Sequence, residues 1–183
     1  TNKNAANVLA GTVNDGKVKF DAKTNTLTLS GVNITEKANM GVWASVYSKL
    51  SGLNIKLEGE NTVGAPFDGS LGYSGYNGIY SEGTLTFVGE GTLNLNIAPE
   101  WTFAYGIGSK GLLTIGDKVT IKTDHQATAG THEGIFAEGG LTIGGDANIN
   151  LKMSGGGTIG ICAAGDFKVT ENAKVDIVSD LYC

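Results

Sequence analysis

The chain contains no arginine. All 13 of its basic residues are lysine, set against 18 acidic ones, and the formal net charge is −5. Arginine is the usual bidentate reader of guanine and the usual clamp for phosphate and carboxylate. An acidic chain without it lacks the basic footprint on which nucleic-acid binding rests. Cysteine and proline are scarce too, with two of each. Cys162 and Cys183 are too few for a disulfide scaffold or a thiolate metal site. No apolar run approaches the ~18 residues of a membrane span.

Glycine is abundant instead, 29 of 183 residues, which in a proline-poor chain points to many tight turns. Apolar residues make up 40% and charged ones 17%, enough for one domain with a real core.

An internal repeat organises those glycines. A small apolar triplet returns as Leu27-Thr28-Leu29, Ile55-Lys56-Leu57, Leu85-Thr86-Phe87, Leu113-Thr114-Ile115, Leu141-Thr142-Ile143 and Phe167-Lys168-Val169, at intervals of 28, 30, 28, 28 and 26 residues. In the last four copies a Gly-Ile pair precedes it, at Gly78, Gly106, Gly134 and Gly160. A second alternating run follows, as Leu93/Leu95, Ile121/Thr123, Ile149/Leu151 and Val175/Ile177. Strict alternation over short runs is the strand signature. The period is too short for a propeller blade, and the leucine-rich consensus is absent. The expected fold is therefore all-β, a right-handed parallel β-helix (solenoid) of about six coils with three short strands per coil; its handedness follows from the preference of parallel β crossovers. Residues 1–20 are read as an N-terminal cap with the first strand and 21–183 as coils of a single domain. Val42, Ile79, Ile107, Ile135 and Ile161 should form one inward ladder. Leu29, Leu57, Phe87, Ile115, Ile143 and Val169 should form another. The 21 residues between Cys162 and Cys183 fall short of the local 26-residue repeat, so isolated thiols are expected rather than a bridge between stacked neighbours. No C-terminal cap is visible, so end-to-end self-association through the last coil is one expectation.

Irregular segments interrupt the repeat at 66–77, 96–105, 124–133 and 152–159, with an extra insertion at 45–52. Aromatic residues gather there. Trp43, Tyr80 and Phe136 read as one outward slot, two residues after the coil-opening Gly, and Tyr73, Tyr76, Trp101 and Tyr105 lie in the adjoining segments. Ring faces at strand spacing beside Asn, Asp and Thr suit the apolar C–H faces of sugars. The competing reading is that these rings cover the flank of the strands beneath the loops. Asp124, His125, His132 and Glu133 are candidate metal ligands, although their spacing matches no zinc pattern, and solvated loop residues are the better reading. No motif supports a cofactor. Calcium has one partial β-roll nonapeptide, "GGDANINLK", and Gly144-Gly145-Asp146 within it reads better as a plain turn.

Two stretches, "VKFDAKTNTLTLSGVNIT" (18–35) and "LNIKLEGENTVG" (53–64), resemble bacterial surface proteins with right-handed β-helix domains, as do the repeated "GIYSEGTLTF" and "GIFAEGGLTI". Such proteins, from Gram-positive gut bacteria, are commonly described as carbohydrate-binding domain-containing. The resemblance covers about residues 13–178. It implies a non-enzymatic extracellular or cell-surface module, secreted with its signal peptide removed, that binds a polysaccharide or a host or cell-surface glycan, or serves in adhesion. The alternatives are a purely structural stalk and a degenerate polysaccharide lyase. Lyases on this fold pair carboxylates with an Arg or Lys, and polygalacturonase-like enzymes carry an Asp triad with Gly-His-Gly; the chain has no Arg, no Asp-Asp pair and no Gly-His-Gly, which leaves a Lys-based lyase as the enzymatic alternative.

Overall fold

The computed structural model describes residues 17–39, 43–67, 69, 75–128 and 130–179. Among them every regular element is a strand, and the strands wind through three sheets. The first sheet holds β1 (Val18–Asp21), β2 (Thr26–Ser30), β6 (Gly52–Glu58), β9 (Thr84–Gly89), β12 (Leu113–Ile115), β15 (Leu141–Ile143) and β18 (Phe167–Val169). The second holds β3 (Asn33–Ile34), β7 (Glu60–Val63), β10 (Thr92–Leu95), β13 (Thr120–Ala127), β16 (Asn148–Gly155) and β19 (Lys174–Ser179). The third holds β4 (Ala38–Asn39), β5 (Trp43–Ser48), β8 (Gly75–Ser81), β11 (Phe103–Ser109), β14 (Thr131–Ala137) and β17 (Thr158–Ala163). Apart from β1 and β4, neighbouring strands pair in parallel, each with its equivalent one coil away. The result is a β-solenoid of three strands per coil. The six parallel rungs of the first sheet, β2 to β18, mark five full turns rather than six.

At the N-terminal side β1 runs antiparallel to β2 and β4 antiparallel to β5. Each breaks the parallel edge that would otherwise invite further pairing. The cap expected at 1–20 lies mostly outside the described residues. At the other end β17, β18 and β19 are the outermost strands of their sheets, with Phe167, Val169, Ile177 and Val178 exposed.

The inward ladders are those of the repeat, with two corrections. Phe87, Ile115, Ile143 and Val169 stack in register, as do Ile79, Ile107, Ile135 and Ile161. Phe87, however, faces Ile55 rather than Leu57, and Ile55 faces Leu27. The 30-residue interval is absorbed as a two-residue slip, which keeps every side chain on its own face. The isoleucine ladder continues through Val46, which pairs with Ile79, while Val42 lies outside the described residues. Residues 45–48 are thus strand, part of β5, not an insertion.

The glycines before each isoleucine mark a column along which successive coils press close. A Cβ on Gly78 would stand 2.5 Å from the Gly106 carbonyl oxygen, one on Gly106 2.6 Å from that of Gly134, and one on Gly134 2.7 Å from that of Gly160. The obstacle is backbone of the next coil, which cannot swing aside. Gly106→Ala also meets Leu95 Cδ1 at 2.7 Å, and should destabilise the solenoid by about 1–3 kcal/mol, the cost of overpacking a filled interior. Urea denaturation of the variant checks this; an unchanged midpoint would mean that the glycine column has no packing role.

Candidate functional site

Two regions between and upon the sheets carry the aromatic and titratable residues. The first is a second apolar core, separate from the main one, at the corner between the second and third sheets. Ala65, Tyr76, Ile97, Trp101 and Ala104 form it, with Trp43, Phe67 and Ala98 packed against it. The Trp101 ring stacks on Tyr76 at 5.3 Å and meets Phe67 edge-on at 5.0 Å. Tyr76 Oη accepts from the Ala65 amide at 2.9 Å and pairs with Ser45 Oγ at 2.8 Å. Burial raises the Tyr76 phenol above its ordinary range. Tyr76 and Trp101 are fully buried, so both are withdrawn from any binding platform. Trp43 pairs with Tyr76, not with Tyr80, and belongs to this corner as well. Lys37 Nζ lies 5.6 Å from its ring centroid and 5.0 Å from that of Trp101. Tyr73 lies outside the described residues.

His125 and His132 border the same corner. Neither is a solvated loop residue. β13 continues its alternation through Thr123, His125 and Ala127, all inward and buried, and β14 begins with His132 buried beside it. His125 Nε2 and His132 Nδ1 are 2.6 Å apart, His125 Nδ1 lies 3.1 Å from the Ile97 carbonyl and His132 Nε2 2.6 Å from that of Trp101. Both ends of this chain of bonds are acceptors, so all three bonds form together only when the two rings share three protons. Burial, then the neighbouring His132, pushes His125 down to about 4. The four candidate metal ligands do not converge. The two imidazoles bond each other, Asp124 pairs outside with Lys152 at 3.1 Å, and Glu133 turns to the outer face of the third sheet. Among the described residues no group of three or more His, Cys, Asp or Glu is placed to hold a metal ion.

That outer face is the second region. Two adjacent rows cross it. One runs Asn77, Tyr105, Glu133; the other runs Tyr47, Tyr80, Gly108, Phe136, Cys162. Tyr47 therefore occupies the slot expected for Trp43. Tyr47 and Tyr80 are parallel, with centroids 6.1 Å apart, and Tyr105 stacks on Phe136 at 4.9 Å. Gly108 lets the Tyr80 ring lie down across the sheet: a Cβ there would meet Tyr80 Cδ2 at 2.7 Å and Asn77 Oδ1 at 3.3 Å. All four rings are half-exposed. Tyr47 Oη donates to Glu82; burial and that bond push Tyr47 up to about 12, and the same bond lowers Glu82. Burial raises Tyr80, with Glu138 and Glu82 adding to it, and raises Tyr105, with Glu133 adding to it.

Beneath the rings two polar atoms have no hydrogen-bond partner, Asn77 Oδ1 and Glu133 Oε2. Burial raises the Glu133 carboxyl, partly offset by a hydrogen bond with Cys162. On the outer side of the second sheet, Asn94, Lys122 and Asn150 stand in register and help line an open groove of about 330 Å³, with Asp124 and Lys152 at its edge. A lysine and a carboxylate meet there, but as an exposed ion pair with each other.

With this geometry in place, comparison with known proteins places the chain. It belongs to the family described as "Carbohydrate-binding domain-containing protein", whose model matches residues 1–174. No curated protein and no solved structure matches it significantly. The family's description points to binding rather than catalysis, and no helix among the described residues is long and apolar enough to cross a membrane.

Proposed function

We propose that the chain is a non-enzymatic module that holds a glycan against the outer face of its third sheet, working outside the cell or on its surface in adhesion. One observation carries the reading: in a chain of a carbohydrate-binding family, Tyr47, Tyr80, Tyr105 and Phe136 present half-exposed rings on one strip that crosses successive coils. Coils repeat at the strand spacing of ~4.8 Å, so a sugar chain laid along the solenoid meets a ring or a polar group at each rung. Sugar C–H faces pack on rings, and hydroxyls take the polar edge. A glycan array, run with and without calcium, identifies the ligand class. Tyr80→Ala and Phe136→Ala should each weaken its binding about tenfold, a loss of about 1.4 kcal/mol, while leaving the thermal midpoint within a few degrees of the parent. Binding that survives both substitutions, or an array with no retained glycan, would overturn the reading.

A further inference from the structure

The unpartnered atoms under the rings narrow the class of ligand, on the premise that the strip holds a glycan. Glu133 is 8% exposed and Asn77 5%. Asn77 Nδ2 is committed to the Trp43 carbonyl at 3.3 Å, which leaves Oδ1 as an acceptor with nothing to accept. Glu133 bonds the Cys162 thiol, leaving Oε2 without a partner, and among the described residues no lysine forms an ion pair with it. Native structures rarely leave buried polar atoms unpaired, because each costs its full desolvation penalty. Both atoms belong to the row that has Tyr105 at its centre, two strand spacings apart, or ~9.6 Å. A ligand that meets both therefore runs across the strands and brings hydrogen-bond donors, not acceptors.

Two further features give the sign of the charge. The Tyr105–Phe136 pair and the Tyr80 ring offer π faces beside these atoms, and π faces attract cations. The acidic groups acting on Tyr80 and Tyr105 are Glu82, Glu133 and Glu138, whereas at the Tyr47 end of the strip Lys49 Nζ lies 5.8 Å from the Tyr47 ring centroid and acts, with Lys110, on Glu82. Next to Glu133, whose Oε2 has no partner, a uronate, sialic acid or sulfated sugar would set like charges together. Tyr80 and Tyr105 are half-exposed, so rotation of either ring, a fast motion for surface side chains, uncovers the atoms beneath. We propose that this face selects a glycan carrying protonated amines, an unacetylated amino sugar whose ammonium group sits between the Glu133 carboxylate and the Tyr105–Phe136 rings. An N-acetyl group removes that charge and adds a carbonyl acceptor.

The test uses the full chain in titration calorimetry against three length-matched series: glucosamine, N-acetylglucosamine and galacturonate oligomers, at a pH where the amine is protonated. Glucosamine oligomers should bind roughly tenfold tighter than their N-acetylated counterparts, within the range of a desolvated cation–π contact, and the uronate series should not bind. Glu133→Gln should bring the amine series to the level of the N-acetyl series, so that the variant no longer separates the two. Phe136→Ala, which removes a half-exposed ring and no buried polar group, should weaken the amine series more than the N-acetyl series. Equal affinity for the two series, or a preference that survives Glu133→Gln, would overturn this proposal and leave the glycan reading standing. No binding of the glucosamine series would likewise overturn this proposal, while the glycan array decides the glycan reading separately. Competition by polylysine at the same concentration of amines would show that charge alone is recognised, and would overturn selection of a sugar.

Discussion

Trp101→Ala is expected to lower the unfolding free energy by about 3–5 kcal/mol, the usual cost of emptying a buried tryptophan site. The ring is fully buried, stacked on Tyr76, edge-on to Phe67 and beneath the Lys37 ammonium. Its removal leaves a cavity in a corner core that has five buried residues among those described, so there is little to collapse around the gap. The Trp101 carbonyl also accepts from His132, so loosening the segment disturbs the histidine pair as well. Trp101→Phe should cost much less, because Trp101 Nε1 is buried without a hydrogen-bond partner and the substitution removes that group. Urea unfolding of the two variants beside Tyr80→Ala separates structural from surface rings. Alanine at 101 should shift the midpoint strongly and alanine at 80 hardly at all. A Trp101→Ala protein as stable as the parent would show that the corner is not a core.

Trp101 and Tyr80 look alike in the chain, each an aromatic near an irregular segment. What separates them is the register of three sheets, which lies outside local pattern. Alternation places Leu85, Phe87, Leu93 and Leu95 inward correctly because each sits in a strand whose partners repeat at constant spacing. It fails to distinguish Leu57 from Ile55 opposite Phe87, since a two-residue slip preserves the inward face. The aromatic slot of the second coil likewise moves from Trp43 to Tyr47. The histidines are hidden differently. "DHQATAGTHE" is polar enough to pass for a loop, yet Thr123, His125 and Ala127 keep a period of two, and that extension of β13 is the available signal. The outer rows are half legible. Phe136 and Tyr80 share a slot by spacing alone, but the burial of Asn77 and Glu133 under neighbouring rings depends on which way those rings lean, and Gly108 decides that for Tyr80.

The histidine pair gives the solenoid an acid limit of its own. Folded His125 titrates at about 4 against an ordinary 6.5, because burial and then His132 oppose its charge. A base with a depressed folded pKa favours the native state wherever the unfolded chain would not bind the proton either, so above pH 6.5 this proton costs nothing. As pH falls from 6.5 toward 4 the unfolded chain gains a proton that the native state refuses, and stability declines across that window. At 1.36 kcal/mol per pKa unit the loss reaches about 3 kcal/mol. Below about 4 His125 charges within the fold and its own contribution levels off. The expected result is a thermal midpoint that is flat from pH 8 to 6.5 and falls steadily to pH 4. His125→Gln should start lower and lose most of that slope, since the residual acid sensitivity then comes from exposed carboxylates such as Asp21, Glu58 and Glu82. Equal slopes in the two proteins between pH 6.5 and 4 would show that His125 titrates normally and that the buried pair is not the acid limit.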